Sequence, residues 1–466
     1  MNHSAPSITE STASNLQARL ANFIVGPGVG GLPEAFKTRL QQSLLDSLGC
    51  GLHGSLTEWG GIVSRYAGTQ GAGDCRLWGA RQPRVSSNAA VLANATMLHS
   101  FELDDVHFGS RSHPGSVTVP VVLALAESMG RAISGRQLIE ALAVGYETLV
   151  RVGMCQGVSS FNRGWHPTGT AGVLGAAATA ARLLGLTEAQ CVHALGVAGT
   201  MPCGLMAAQY GAMVKRLYAG HAASTGLMAA SLAQQGFTGI PDLFDAEYGG
   251  YPKALSDDVT LAPLTDALGD RYEAASIGYK LFSCVGTNHT ALEALSRLKR
   301  EHGIGFDDVR GIEITTSQYQ VLHSGWPYLP STVMAAQMNL QYCTAVLFKE
   351  GDVFVDQFRN ELLADPRVVD FAARVEPVID AQQDHKDRTA RVVVRLRDGR
   401  ELRGSCAAAK GHPLNPPDWN DIEHKFGVLA GKVLSDAACR EIVDRVRHID
   451  ELDDVRTLAS LMEPAE

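Results

Sequence analysis

From Leu16 to Gln235 apolar positions recur mostly at helical spacing, the mark of helices that turn one face to a core. Leu16–Ile24 and Pro33–Leu52 read as two helices. Ser86–Ser100 predicts a small-residue helix with Val91, Leu92, Ala95, Leu98 and Phe101 on one face, and Val117–Met129 an apolar, alanine-rich one. Gln137–Met154, Gly169–Leu184, Thr187–Gly199 and Leu217–Gln235 continue the pattern. Their alanines and glycines allow close helix contact, so this half predicts tight helical packing with no parallel sheet.

The pattern changes near Gly269. Glu273–Ile277 and Val309–Thr316 have strand character, while Asn288–Glu301 and Val333–Phe348 look helical. Arg374–Ile379, Ala390–Arg397 and Glu401–Ser405 predict three more strands, the last two joined by a two-residue hairpin turn at Asp398-Gly399. Asp421–Ala430, Asp436–Arg447 and Glu451–Met462 return to helix. The expected molecule is mainly α: an all-helical domain built from residues 1–268 and 406–466, with a smaller α+β domain, residues 269–405, inserted in it.

Composition narrows the function. A chain of 466 residues can bury a large core. Its net charge of −9 argues against a nucleic-acid or acidic-membrane partner, which would favour a basic face. No apolar run approaches the ~18 residues of a membrane span, and MNHSAPSITESTASN lacks the basic-then-apolar order of a signal peptide, so the expected location is cytoplasmic. The nine cysteines form no CxxC pair, and the lone CxxH at Cys50–His53 has no second pair to complete a site, which predicts neither a zinc cage nor a redox motif. Gly26–Gly31 (GPGVGG) matches GxGxxG, but it follows a helical pattern rather than a strand, and reads as a linker.

Four clusters could carry chemistry. Phe101–Pro120 (FELDDVHFGSRSHPGSVTVP) crowds Glu102, Asp104, Asp105, His107, Arg111 and His113 between two core-type helices. Such density suits a loop that lines a wet cleft, since buried charges must be paired or solvated; a solvated connector would have the same composition. His166, in GWHPTGT, precedes a helix whose N-cap is expected at Thr168, and the free amides there favour an anion. Lys215-Arg216 precedes a small-residue helix and suits a polycarboxylate, with Arg216 as a bidentate clamp. Lys280 lies at the end of a short predicted strand in GYKLFSC, and Cys284 in the same stretch reads as packing.

Taken together, ELDD…HPG, GWHPTGTAG, KRLYAGHAASTGLMAASLAQQGFTG, GYKLFSC…H and PLNPPDWNDIEHKF resemble the MmgE/PrpD family, in family order from Leu44–Gly54 to the last helices. The resemblance implies a helical domain interrupted by an α+β lid, an active site between them, a homodimer, a small polycarboxylate substrate, and no metal or organic cofactor. By motif it carries over Asp104, Asp105, His113, His166, Lys215 and Lys280, with Tyr146 in GYE as a further catalytic position. Glu102, His107, Arg216 and Tyr342 are expected to bind substrate. Known activities in the family are 2-methylcitrate dehydration, cis-aconitate decarboxylation and iminodisuccinate epimerisation.

Two departures steer the choice among these. Val285 stands where the decarboxylase-like pattern has a histidine, and ELDDV replaces the dehydratase-like DFNDT, putting Val106 in place of a threonine. His323–Tyr342 looks closest to the epimerase branch. The expectation is therefore an epimerase that removes and returns a proton beside a carboxylate, with a dehydratase or decarboxylase as the alternative. A non-catalytic polycarboxylate-binding protein would share the fold and show no solvent exchange at any substrate carbon.

Overall fold

A computed structural model describes residues 16–26, 31–384 and 386–464. The N-terminal stretch read for a leader, and most of Gly26–Gly31, lie outside these residues. The helices of the first half form close to where apolar spacing puts them: Leu16–Val25, Glu34–Gly54, Ser87–Leu98, Pro114–Ser128, Gly135–Cys155, Pro167–Leu184, Glu188–Ala198 and Val214–Gln234. Local chemistry fixes several starts. Ser86 caps one helix, and Ser134 with Gln137 and Thr187 with Gln190 make reciprocal capping boxes on two others. Pro114 and Pro167 open their helices earlier than expected, because the fixed φ of proline suits a first turn.

Pro167–Leu184 is the centre of the helical packing, flanked by Gly135–Cys155 and Val214–Gln234. A Cβ on Gly226 would lie 2.4 Å from the Cβ of Ala176, and one on Gly175 2.6 Å from that of Leu149. Neither site has room for a methyl group, which is the physical content of the Ala/Gly-rich composition. The molecule is mainly α. Among the described residues no helix is long and apolar enough to cross a membrane.

The second half contains a four-stranded sheet in the order Val375–Asp380, Val309–Ser317, Ala390–Leu396, Glu401–Cys406. The first pair is parallel and the others antiparallel. Four expectations fail locally. Glu273–Ser276 is a 3-10 turn, because Glu147 takes the Glu273 and Ala274 amides at 3.0 Å each and so removes them from any ladder. Only Ile277–Gly278 pairs, antiparallel to Val106–His107. Val333–Phe348 breaks into Val333–Gln337 and Leu340–Glu350, where Asn339 caps the second helix through the Tyr342 amide. The hairpin loop has three residues, Arg397 to Gly399, closed by Leu396 N–H to Arg400 O (2.9 Å), with Gly399 at φ 93°. Finally, Glu451–Met462 is a series of short turns, interrupted where Asp454 accepts from the Arg456 amide.

Apolar side chains gather in two cores. The first runs through the helical half to Tyr272, Ala274, Ile277 and Tyr279, and takes in Ile422 to Met462 from the C-terminal helices. The second starts at Cys284 and contains the sheet, with the His289–His302 and Leu340–Glu350 helices. Side chains therefore change partners later in the chain than the composition changes.

Candidate active site

The loop between Ser87–Leu98 and Pro114–Ser128 turns on two non-glycine residues in the left-handed region, Glu102 (φ 54°) and Arg111 (φ 57°). That conformation is uncommon for side-chain-bearing residues and needs outside support. Glu102 receives it from three cations on two other segments. Lys215 Nζ donates to Oε1 at 2.5 Å, Arg216 Nη1 to the same oxygen at 2.6 Å, and Lys280 Nζ to Oε2 at 3.3 Å. Lys280 also reaches Asp104 Oδ1 at 3.3 Å. The other oxygen of Asp104 accepts from His99 Nδ1 at 2.6 Å. His113 Nδ1 is 2.6 Å from the Asp105 carbonyl, which can only accept, so this nitrogen carries the proton and Nε2 the lone pair. His166 occupies the N-cap position of Pro167–Leu184, and its buried Nδ1 has no hydrogen-bond partner among the described residues.

Burial sets most of the proton affinities. It pulls Lys215 down to about 8 against the opposing pull of Glu102. Burial also works against the charge on Lys280, but Glu102 and Asp104 outweigh it and hold that ammonium above its usual value. Glu102 is held well below the carboxylate range because Lys215, Lys280 and Arg216 overcome its desolvation. Burial disfavours the Asp104 charge too, and its neighbours His113, His99 and Lys280 more than offset that. Desolvation lowers all three histidines, His113 to about 3, and leaves them neutral imidazoles.

These groups open onto a cleft between the two cores, with ≈ 650 Å³ of empty space counted out to its mouth. Of the residues singled out in the sequence, Glu102, His113, His166, Lys215 and Lys280 line it. Others of the expected set lie off its wall. Asp105 and Tyr146 sit behind it, bonded to each other at 2.7 Å. Arg216 is fully buried and donates from Nη1 to Glu102 and His99 O and from Nη2 to Gln337. His107 belongs to the two-residue ladder and to Ser110. Tyr342 packs in the second core, its hydroxyl bonded to Gln357 O at 2.6 Å. Thr168 caps no helix; its hydroxyl accepts from the His113 amide at 3.1 Å and so ties the two histidine segments together.

Several site residues escaped sequence reasoning. His99 lies just ahead of the charged loop, tilted against His113 and edge-on to His166, with ring centroids 5.0 and 5.6 Å away. Tyr319, His323 and Arg388 reach the cleft from the second core, beside Arg111 of the charged loop that the sequence singled out. Arg388 comes from a polar stretch, Gln382 to Thr389, with no local sign of function. Val106 and Val285, the two departures from family patterns, both face the cleft.

No metal motif is visible in the sequence, yet folding brings ligand atoms of His99, Asp104 and His113 within 4.8 Å of one another. An ion there would meet poor terms. Both Nδ1 atoms already serve protein acceptors, and Lys280 is held 3.3 Å from the shared carboxylate.

Comparison with known proteins covers almost the whole chain. The MmgE/PrpD N-terminal domain model matches residues 18–262 and the MmgE/PrpD C-terminal domain model residues 282–449. The chain is 32% identical to the cis-aconitate decarboxylase-like protein oryM of Aspergillus oryzae, over 98% of this chain and 99% of that protein. It is 29% identical to the cis-aconitate decarboxylase of Aspergillus terreus, over 96% of each. With the Homo sapiens cis-aconitate decarboxylase it shares 27% identity, over 98% of this chain and 94% of that one. Nothing in these relatives points to an epimerase, so that expectation is corrected. In the segment that suggested it, Tyr328 and Tyr342 pack in the second core, and His323 and Met338 are the residues that reach the cleft.

Proposed function

The chain belongs to the MmgE/PrpD family, and from that premise we propose that it is a lyase removing CO2 from a small unsaturated tricarboxylate of the cis-aconitate kind. The observation that carries the proposal is the charge of the cleft: its wall bears four cations, Arg111, Lys215, Lys280 and Arg388, and the single carboxylate of Glu102. That surplus suits a substrate with several carboxylates, in a chain that matches decarboxylases from end to end.

The reaction breaks the C–C bond to a carboxymethyl carboxylate beside the double bond. CO2 leaves, and the electron pair enters the allylic system toward a retained carboxylate. A proton then bonds to the carbon at that far end, and the double bond moves by one position. Fixed cations stabilise the enolate-like charge as it develops, and Lys280, which keeps its proton firmly, is suited to that task. The proton donor should have an affinity near working pH, and Lys215 at about 8 meets this requirement. The neutral His113 and His166 offer lone pairs that can relay a proton. Val106, Phe108 and Val285 provide apolar wall where the departing group becomes an uncharged molecule.

The route needs neither an electron acceptor nor an added electron sink. Alongside it we propose the homodimer and the closing smaller domain that the family resemblance implies. Leu205, Tyr210, Met213 and Val214, exposed beside Lys215, are apolar surface that a second copy would cover.

The test is cis-aconitate incubated with the protein in D2O. CO2 release with one deuteron in a product whose double bond has moved is the expected result. Exchange of substrate hydrogen without CO2 would restore the epimerase reading, and binding with neither would leave a non-catalytic protein.

A further inference from the structure

Two of the four cations on the cleft wall have no carboxylate of their own. Lys215 and Lys280, with Arg216 behind them, gather around Glu102 and Asp104. Three cations against two carboxylates leave that group one positive charge in excess. Arg111 and Arg388 form a separate group, and among the described residues neither makes an ion pair. Arg111 donates to Gly157 O at 3.3 Å. Tyr319 acts on it most among its neighbours, and Asp258 at longer range, with its own oxygens committed to the Val158 and Ser159 amides and the Ser256 hydroxyl. The Arg388 guanidinium carbon lies 4.8 Å from the ring centre of Tyr319 and 5.9 Å from that of Phe108. Stacking of this kind fixes the plane of the fork and leaves its edge donors free. His323 lies in the field of both groups, since Arg388 and Lys215 each act on it.

We propose that Arg111 and Arg388 form a second anion-binding pole of this cleft, which holds one carboxylate of the substrate and selects tricarboxylates over dicarboxylates. With the histidines neutral, the inner group has one charge to spare and the outer pair two more. A tricarboxylate carries the three negative charges that balance them. The outer pair also draws on both cores, Arg111 from the charged loop and Arg388 from the sheet half, so a ligand carboxylate here would bridge them.

The inference rests on the proposed substrate class, but its test needs no reaction. Calorimetry would compare tricarballylate with glutarate, the same carbon skeleton without the middle carboxylate. The unsubstituted protein should prefer tricarballylate by roughly 10-fold or more, the scale of a charge-assisted pair. Arg388→Gln and Arg111→Gln should each erase most of that preference and leave glutarate affinity within about twofold. Arg388→Lys should fall between, since the charge remains but the stacked fork is lost. Equal weakening of both ligands, or a preference that survives both Gln variants, would overturn the assignment. Arg388 is only half-buried, so its replacement opens no core, and it carries the test even where Arg111→Gln misfolds. Absence of CO2 from cis-aconitate would refute the proposed reaction while leaving the calorimetric preference to be read separately.

Discussion

Lys215 and Lys280 are two lysines around one carboxylate, and they are driven in opposite directions. Burial wins at Lys215, which sits at about 8, whereas two carboxylates win at Lys280. If Lys215 delivers the proton, the rate should fall as pH rises through about 8, and a rate still climbing at about pH 9.5 would argue for another donor. Lys215→Met and Lys280→Met should each cost roughly 10²-fold or more in turnover with the fold intact. Asp105 offers a check on stability. Burial pushes its carboxyl up to about 7 against the Tyr146 hydrogen bond, with Asp46 and Asp104 adding to the rise. Between its ordinary 3.8 and about 7 the folded chain holds a proton that the unfolded chain has lost. The stability this lends is whole below the ordinary value and is lost as pH rises through about 7. Melting of Asp105→Asn should therefore gain on that of the unsubstituted protein by a few degrees between about pH 5 and 8; parallel curves would contradict it. EDTA should leave activity unchanged, and loss restored by zinc would show that His99, Asp104 and His113 hold an ion after all. At this scale the sequence was most readable where charge interrupts an apolar helix, as at Glu102, His113, His166 and Lys215. It was unreadable at Arg388, whose polar surroundings resemble any surface loop.

Among elements, the least visible link joins the Glu34–Gly54 helix to Trp419–Ala430. Lys425 Nζ lies 2.6 Å from Asp46 Oδ1 and 2.5 Å from the carbonyl of Leu103, the residue between Glu102 and Asp104. The pair is buried, and Lys425 stays protonated because Asp46 offsets its desolvation. Lys425→Met would leave a carboxylate alone in the core and should lower unfolding free energy by roughly 3 kcal/mol or more in urea titration. Adding Asp46→Asn should recover part of the loss, and strict additivity would show the pair to be uncoupled. Apolar periodicity predicted both helices but could not show that they share an ion pair, since contact between residues so far apart in sequence depends on the fold. The same limit explains the broken Val333–Phe348 helix, whose Asn339 lies in an otherwise continuous apolar pattern.

In the whole molecule, the change from a helical half to a half that contains a sheet was legible in composition, because small-residue helices and alternating strands bury their surfaces differently. Which side chains cross between the two was not. Arg151, fully buried, donates to the carbonyls of Pro263, Asp266 and Arg271 and thereby pins the segment around Gly269 to the helical core. If the smaller domain closes over substrate, limited proteolysis should cut near Gly269 and Ser405 before the alanine-rich helices, and Arg151→Met should quicken the first cut several-fold. Early cleavage within Gly169–Leu184 would count against that division. Light scattering should give twice the chain mass, and a monomer would remove the homodimer.

The bond between Asp46 and Lys425 also bears on how the protein is made. A ribosome delivers Asp46 long before Lys425, so in the interval the first helices carry a carboxylate whose counter-ion does not yet exist. Sealing the helical core around that acid in its charged form is unfavourable until Lys425 emerges. A message cut short before Trp419 would lack both the counter-ion of Asp46 and the helix that packs on Glu34–Gly54, and should yield an open, sticky product rather than a smaller working one.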